Sequence, residues 1–244
     1  MKLLSFGLSD IGVRTNNEDV WAACTETGFF ALADGMGGHQ AGEVAAKEAI
    51  EHLSDSVKQI KTLNPQEWMD ALRLAIEKAN QYVYNLGKKD ESLNGMGTTL
   101  CCLIWAKEAV IYAHVGDSRI YRLREGKLDL LTQDHSLFTK WLQAGKESHS
   151  PFPYKNVITR AVGTAPKANP EIAICSHHPG DLFFLCSDGL SDVLTLEEIE
   201  TILNNSCDLE SSSKKLIQEA KIKGSSDNIT ILMVQRNGNA ENLP

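Results

Sequence analysis

Four stretches of this chain run from apolar residues directly into aspartate, or the reverse. Phe29-Phe30-Ala31-Leu32-Ala33 leads to Asp34-Gly35, and Val110-Ile111-Tyr112-Ala113-His114-Val115-Gly116 leads to Asp117. Leu182-Phe183-Phe184-Leu185-Cys186-Ser187 leads to Asp188-Gly189, and Asp227-Asn228 stands just ahead of Ile229-Thr230-Ile231-Leu232. Apolar runs of this length read as buried strands, so each carboxylate lies at the mouth of a core, where water is scarce. An isolated ionised carboxylate there is costly and must be paired, protonated or bound to a cation. Asp-Gly alone is a common turn dipeptide. Four such sites far apart in sequence, with no matching lysines or arginines at neighbouring strand ends, point instead to cations. Carboxylate and carbonyl oxygens suit Mg²⁺ or Mn²⁺ rather than Zn²⁺. Two such ions a few ångströms apart can hold a bridging hydroxide and an attacked phosphoryl group.

The rest of the chain is that of a folded protein. Its 244 residues are 42% hydrophobic and 23% charged, with 24 Lys+Arg against 32 Asp+Glu and a net charge of −8. That field repels polyanions, which argues against nucleic acid or an anionic membrane surface as the main partner. No apolar run reaches the ~18 residues a bilayer span needs. The opening Met1–Asp10 is too brief and too soon acidic for a signal peptide, so the expected location is cytoplasmic, with the six cysteines reduced. No cysteine has an arginine six residues on, so a cysteine-dependent phosphatase is excluded; a Walker loop, a G-x-S-x-G elbow and an H-E-x-x-H helix are also absent.

Strand signals come as hairpins: Val20–Cys24 with Phe29–Ala33, Thr98–Trp105 with Ala109–Val115, and Arg119–Leu123 with Leu128–Leu131. Asp181–Cys186 and Asn228–Gln235 follow, with Glu171–Ser176 expected as their partner. Helical spacing covers Glu43–Ile60, Pro65–Leu86 behind an Asn64 cap, Thr195–Leu203 with a Thr195/Glu198 capping box, and Asp208–Ile222; a short helix is expected over Leu137–Ala144. Hairpins with helices grouped apart from them predict α+β layers with largely antiparallel sheets. His114 reads as a core histidine and His135 as a turn-fixing one. Trp68 and Trp141 read as packing residues, and Arg160 as the partner of a buried carboxylate.

Two more segments carry chemistry. Gly35-Met36-Gly37-Gly38-His39-Gln40-Ala41-Gly42 opens the first long helix but fails the dinucleotide pattern, since Gln40 stands where its third glycine would be. In Arg14-Thr15-Asn16-Asn17-Glu18-Asp19, Arg14 is suited to clamp a phosphate, and Glu18 and Asp19 to orient water on an ion; a solvated polar turn is the plain alternative.

Taken in order, these segments with Gly97-Thr98-Thr99, Val115–Arg119, Asp134-His135-Ser136, Ile158–Gly163, Ser187–Leu190 and Asp227–Thr230 resemble the metal-dependent protein phosphatases, the type 2C serine/threonine class in its compact bacterial form. Each motif is weak alone; the ordered set, from residue 14 to residue 230, is specific. The resemblance implies a four-layer α-β-β-α sandwich, one catalytic domain over residues 1–236 with a flap near 144–156 and a tail at 237–244. It implies two Mn²⁺ or Mg²⁺ ions that activate water for in-line attack on a phosphoserine or phosphothreonine. Asp34 would bridge them, the Gly35 carbonyl would bind the second, and Asp188 and Asp227 the first. Asp117 with Asp188 matches a third, weaker site, Arg14 the phosphate-binding arginine, and Glu18 and Asp19 the residues holding ion-bound waters. Met36 replaces the histidine that eukaryotic relatives place after Asp-Gly, and His39 is the nearby candidate. The implied partners are the phosphoproteins of a cognate serine/threonine kinase, and the implied state is a monomer. A binding module that has lost the chemistry, or a hydrolase of small phosphate esters, are the alternatives.

Overall fold

The computed structural model describes residues 2–37, 41–61, 64–145, 152–154 and 156–236. His39, most of the expected flap and the tail at 237–244 lie outside the described residues. Two sheets stack face to face. The first carries β1 (Leu3–Asp10), β7 (Arg119–Arg124), β8 (Lys127–Leu130), β10 (Leu182–Cys186) and β11 (Ile229–Arg236) in the order β1-β11-β10-β7-β8. The second carries β2 (Asp19–Cys24), β3 (Phe29–Met36), β5 (Leu100–Trp105), β6 (Val110–Val115) and β9 (Glu171–Cys175) in the order β2-β3-β5-β6-β9, with β4 (Gly97–Thr98) also on β3. Every pairing is antiparallel. Helices α1 (Ala41–Lys58) and α2 (Pro65–Lys89) cover the second sheet. Helices α5 (Leu196–Asn204) and α6 (Leu209–Ile222) cover the first. The short α3 (Leu137–Gln143) and α4 (Asp188–Ser191), with a 3-10 turn over Glu91–Leu93, complete the set among the described residues. This is the α-β-β-α sandwich expected. None of the described helices is long and apolar enough to cross a membrane.

The two-residue period of a strand sorts the core into three spaces. Phe29, Ala31 and Ala33 face α1 and α2, whereas Phe30 and Leu32 face the opposite sheet. Likewise Leu182, Phe184 and Cys186 face α5 and α6, whereas Phe183 and Leu185 face inward. Each such large side chain, once fully buried, contributes about 1.5–3 kcal/mol. Continuing the alternation, Asp34 falls on the face of Phe30 and Leu32, and Thr230 on that of Leu232 and Val234. The layer between the sheets is therefore greasy in the middle and polar at one end.

Three expectations are corrected. Glu171–Cys175 pairs with β6, not with the late strands, so it belongs to the other sheet. The run expected as one strand over Thr98–Trp105 is broken at Thr99, because Thr98 bridges to Val162 and the Thr99 amide turns to the Asp34 carbonyl at 2.8 Å. Asp34 lies inside β3 rather than beyond its end. Strand β1, not anticipated as a strand, pairs along its whole length with β11. Trp68 packs on the helical layer of the second sheet, and Trp141 stacks on Phe138 and Phe152.

Candidate metal centre

The polar end of the inter-sheet layer opens into a cleft of about 260 Å³ lined by Arg14, Glu18, Asp34, Gly35, Met36, Gly37, Thr99, Asp117, Asn156, Ile158, Asp188 and Asp227. Every expected site residue among the described ones lines it except Asp19, which is buried behind it in register with Asp34. Asp34 and Gly35 come from one sheet; Asp188 and Asp227 come from the ends of β10 and β11 in the other. These three carboxylates thus meet only because two sheets stack.

The backbone around Asp34 is held tightly. Its amide donates to Thr99 Oγ1 (3.0 Å), and its carbonyl accepts from the Thr98 hydroxyl (2.9 Å) as well as from the Thr99 amide. A Cβ on Gly35 would fall 2.1 Å from the Gly42 carbonyl oxygen, so only glycine lets β3 pass against the start of α1. Gly12 has φ +62°, and a Cβ there would lie 2.2 Å from the Asp227 carbonyl oxygen.

The electrostatics are those of uncompensated negative charge. Burial pushes the Asp34 carboxyl well above its ordinary range, and Asp19, Asp188, Asp227 and Asp117 repel it further. Asp188 is pushed up to about 8 by burial, then by Asp117, Asp192 and Asp227. Burial lifts Asp19 and Asp117 to about 6 each. Glu18 is raised too, chiefly by burial. Asp19 Oδ1 and Asp188 Oδ1 are buried with no hydrogen-bond partner. Of the nearby cations, Arg119 is bound bidentately to Asp134 (2.9 and 2.7 Å) and leaves the cluster unneutralised. Clustered carboxylates, two orphaned oxygens and no unpaired cation among the described residues lining the cleft fit divalent ions.

Arg14 stands at the mouth, its Nη2 donating to Asp227 Oδ2 (2.6 Å) and its Nε to the Ser226 carbonyl (2.9 Å). Both partners of this pair are open to water (54% and 34% exposed), so it adds little stability. We expect Arg14→Ala to shift unfolding by less than about 1 kcal/mol. It should also lower kcat/KM for a phosphopeptide by about 100-fold, the effect of removing a charged donor from a developing oxyanion. Melting and steady-state kinetics together check this, and equal losses in both would contradict it.

Asn228 was visible only as part of a motif. Its Nδ2 donates to the Ile11 and Asn16 carbonyls (2.9 Å each), its Oδ1 accepts from the Glu18 amide (2.9 Å), and its side chain is buried. It ties the Arg14 loop to β11. Asn228→Ala leaves three backbone groups unpaired and should destabilise by about 2–3 kcal/mol, read by denaturant unfolding.

A second cluster, His114, His135 and Glu171, brings three potential ligand atoms within 4.8 Å of one another. It is not arranged for a metal. His135 Nδ1 accepts from the Gly116 amide (3.1 Å), which places the ring proton on Nε2, 3.1 Å from Glu171 Oε1, while the cationic Arg160 Nη1, also 3.1 Å from Nε2, opposes a metal ion there. Binding an ion through Nε2 would put that proton on Nδ1, against the Gly116 N–H. Arg160 closes the group, 3.0 Å from Glu171 Oε1, a half-exposed carboxylate and not the buried partner expected for it. His114 Nε2 reaches the Gln133 carbonyl (2.9 Å), and the His135 carbonyl accepts from the Thr159 amide, so both histidines are structural as expected.

The sequence profile of the family described as Protein phosphatase 2C matches residues 6–223. The chain is 38% identical over 232 residues to a serine/threonine phosphatase stp of Listeria welshimeri, covering 92% of each. It is similar to the solved S. agalactiae serine/threonine phosphatase with a TM-score of 0.89 and 34% identity, covering 96% of this chain and 100% of that one. It is also similar to the catalytic domain of the phosphatase PstP in complex with two manganese ions, with a TM-score of 0.85 and 33% identity, covering 96% and 98%. On the profile match and these identities, the chain belongs to the protein phosphatase 2C family.

Proposed function

We propose that Asp34, Asp188, Asp227 and the Gly35 carbonyl hold two Mn²⁺ or Mg²⁺ ions in the cleft, with Asp117 and Asp188 offering a third, weaker site. The chain is a metal-dependent serine/threonine phosphoprotein phosphatase. The ions, when bound, supply a water activated for in-line attack on phosphorus and offset charge on the phosphoryl oxygens. Arg14, steadied by Asp227 and the Ser226 carbonyl, presents its exposed guanidinium to the entering phosphate. Glu18 and Asp19 would hold and orient water on the ions through their carboxylate oxygens. Met36 lines the cleft and has no proton to give. One catalytic domain over residues 1–236, a cytoplasmic monomer, acts on the phosphoproteins of a serine/threonine kinase in a signalling pair.

The observation that carries this reading is the gathering of Asp34, Asp117, Asp188 and Asp227 in one cleft whose one cationic side chain among the described lining residues, Arg14, is paired with Asp227 alone. The test is phosphate release from a phosphothreonine peptide and from a nucleotide, with Mn²⁺ and after chelation. Peptide hydrolysis that requires Mn²⁺ and exceeds nucleotide hydrolysis supports it. Unchanged hydrolysis after chelation, or preference for the nucleotide, overturns it.

A further inference from the structure

Behind the carboxylates, five side chains form a hydrogen-bonded row that crosses from one sheet to the other. Asn17 Nδ2 donates to Ser9 Oγ (2.7 Å), Ser9 Oγ lies 2.6 Å from Thr230 Oγ1, and Ser187 Oγ donates to Asp19 Oδ2 (2.8 Å). The Thr230 amide donates to Ser187 Oγ (2.9 Å), and the Ser187 amide donates to the Thr230 carbonyl (3.1 Å). Ser187 and Thr230 are fully buried, and Asp19 nearly so.

Ser187 Oγ already accepts from the Thr230 amide, so its own proton goes to Asp19. Ser9 Oγ accepts from Asn17 and shares one further hydrogen bond with Thr230 Oγ1. The Ser187 hydroxyl thus favours the charged form of a carboxylate that burial disfavours. Its other oxygen, Oδ1, is left without a partner. The row also joins two bodies. Ser9, Ser187 and Thr230 belong to the sheet that supplies Asp188 and Asp227, and Asp19 to the sheet that supplies Asp34. In the middle of the layer the facing sheets meet through apolar side chains such as Phe30, Phe183 and Leu232, and Asn228 adds a second polar tie at the entry to β2.

We propose that Ser187, with Thr230, is a positioning residue that bolts the two sheets together through Asp19 and thereby sets the separation of the carboxylates that grip the ions. This rests on the metal-centre reading above and adds to it the part that makes two halves one site. Ser187 immediately precedes Asp188, so a shift at its hydroxyl is passed to that carboxylate without an intervening residue.

The test measures Mn²⁺ binding to the full chain by the loss of the free-ion EPR signal, alongside melting of the metal-free protein. Ser187→Ala should weaken Mn²⁺ binding by about 10- to 100-fold, as loss of groups that orient metal ligands does. At saturating Mn²⁺ kcat should stay within a few-fold of the parent, and Ser187→Thr should restore the affinity. Asp19→Asn combined with Ser187→Ala should bind no worse than Asp19→Asn alone, because the bolt acts through Asp19. Ser187→Cys, which keeps the volume and weakens the bond to Asp19, gives the same readings if Ser187→Ala folds poorly. Unchanged Mn²⁺ affinity, a lowered melting temperature alone, or additive losses in the double variant would overturn the proposal. Failure of the parent itself to bind Mn²⁺ would instead strike at the metal-centre reading.

Discussion

Replacing Asp34 or Asp188 with asparagine is expected to lower Mn²⁺-dependent hydrolysis of a phosphothreonine peptide by about three orders of magnitude or more. On the proposed assignment each change removes a charged oxygen from ions whose contribution to the transition state would be several kcal/mol, and each 1.4 kcal/mol is about tenfold in rate. The same variants should leave the fold intact and even stabilise the metal-free protein. Asp34 is crowded by four other carboxylates, and an amide at that position removes the repulsion. Circular dichroism and melting of the metal-free variants separate a lost ligand from a lost fold. A variant with parental activity, or one that is unfolded, would count against the assignment.

The second large effect is on stability against pH. Asp188 has an ordinary value of 3.8 and is raised to about 8 in the fold, and Asp34 is raised well above its own. Between those limits the folded state binds more protons than the unfolded one. Stability present at low pH is then lost as pH rises through the folded value. His135, lowered from 6.5 to about 4 by burial and by His114 and Arg160, acts the other way below pH 6.5, as does His114. The clean window is therefore pH 6.5 to 8. There the metal-free protein should lose about 2 kcal/mol through Asp188 alone, with Asp34 adding to it, and its melting temperature should fall by roughly 5 °C or more. Saturating Mn²⁺, which binds the ionised carboxylates, should abolish the slope and raise the melting temperature. A metal-free melting temperature that is flat or rising from pH 6.5 to 8 would contradict the raised carboxyls, and Asp188→Asn should make the fall shallower.

Much of the fold and site was legible locally. The period of two in Phe29–Ala33 and Leu182–Cys186 predicts strands, and an aspartate continuing that period must enter the space its apolar neighbours occupy. The Thr195/Glu198 capping box and the Asn64-Pro65 start mark two helices where they are found. Other features have no local signal. Leu3–Asp10 has mixed composition and is a strand because β11, more than 200 residues away, offers it a partner along its length. Glu171–Cys175 has strand character, but nothing in it distinguishes β6 from β10 as a neighbour. The break at Thr99 depends on the Asp34 carbonyl, 65 residues away. Asn228 and Ser187 are ordinary polar residues until their buried partners are known.

The amino-acid order alone determined which residues are chemically out of place, namely acidic groups continuing apolar strands, and hence that cations would be needed. That follows from the energy of a charge in a medium that cannot solvate it, which holds whatever the topology. Only the stacking of two sheets decided that Asp34 from one and Asp188 and Asp227 from the other share a cleft, that Arg14 stands at its mouth, and that Asp19 faces Ser187. Those are distances between strands remote in sequence, set by how side chains of both inner faces interdigitate, and no window along the chain contains them.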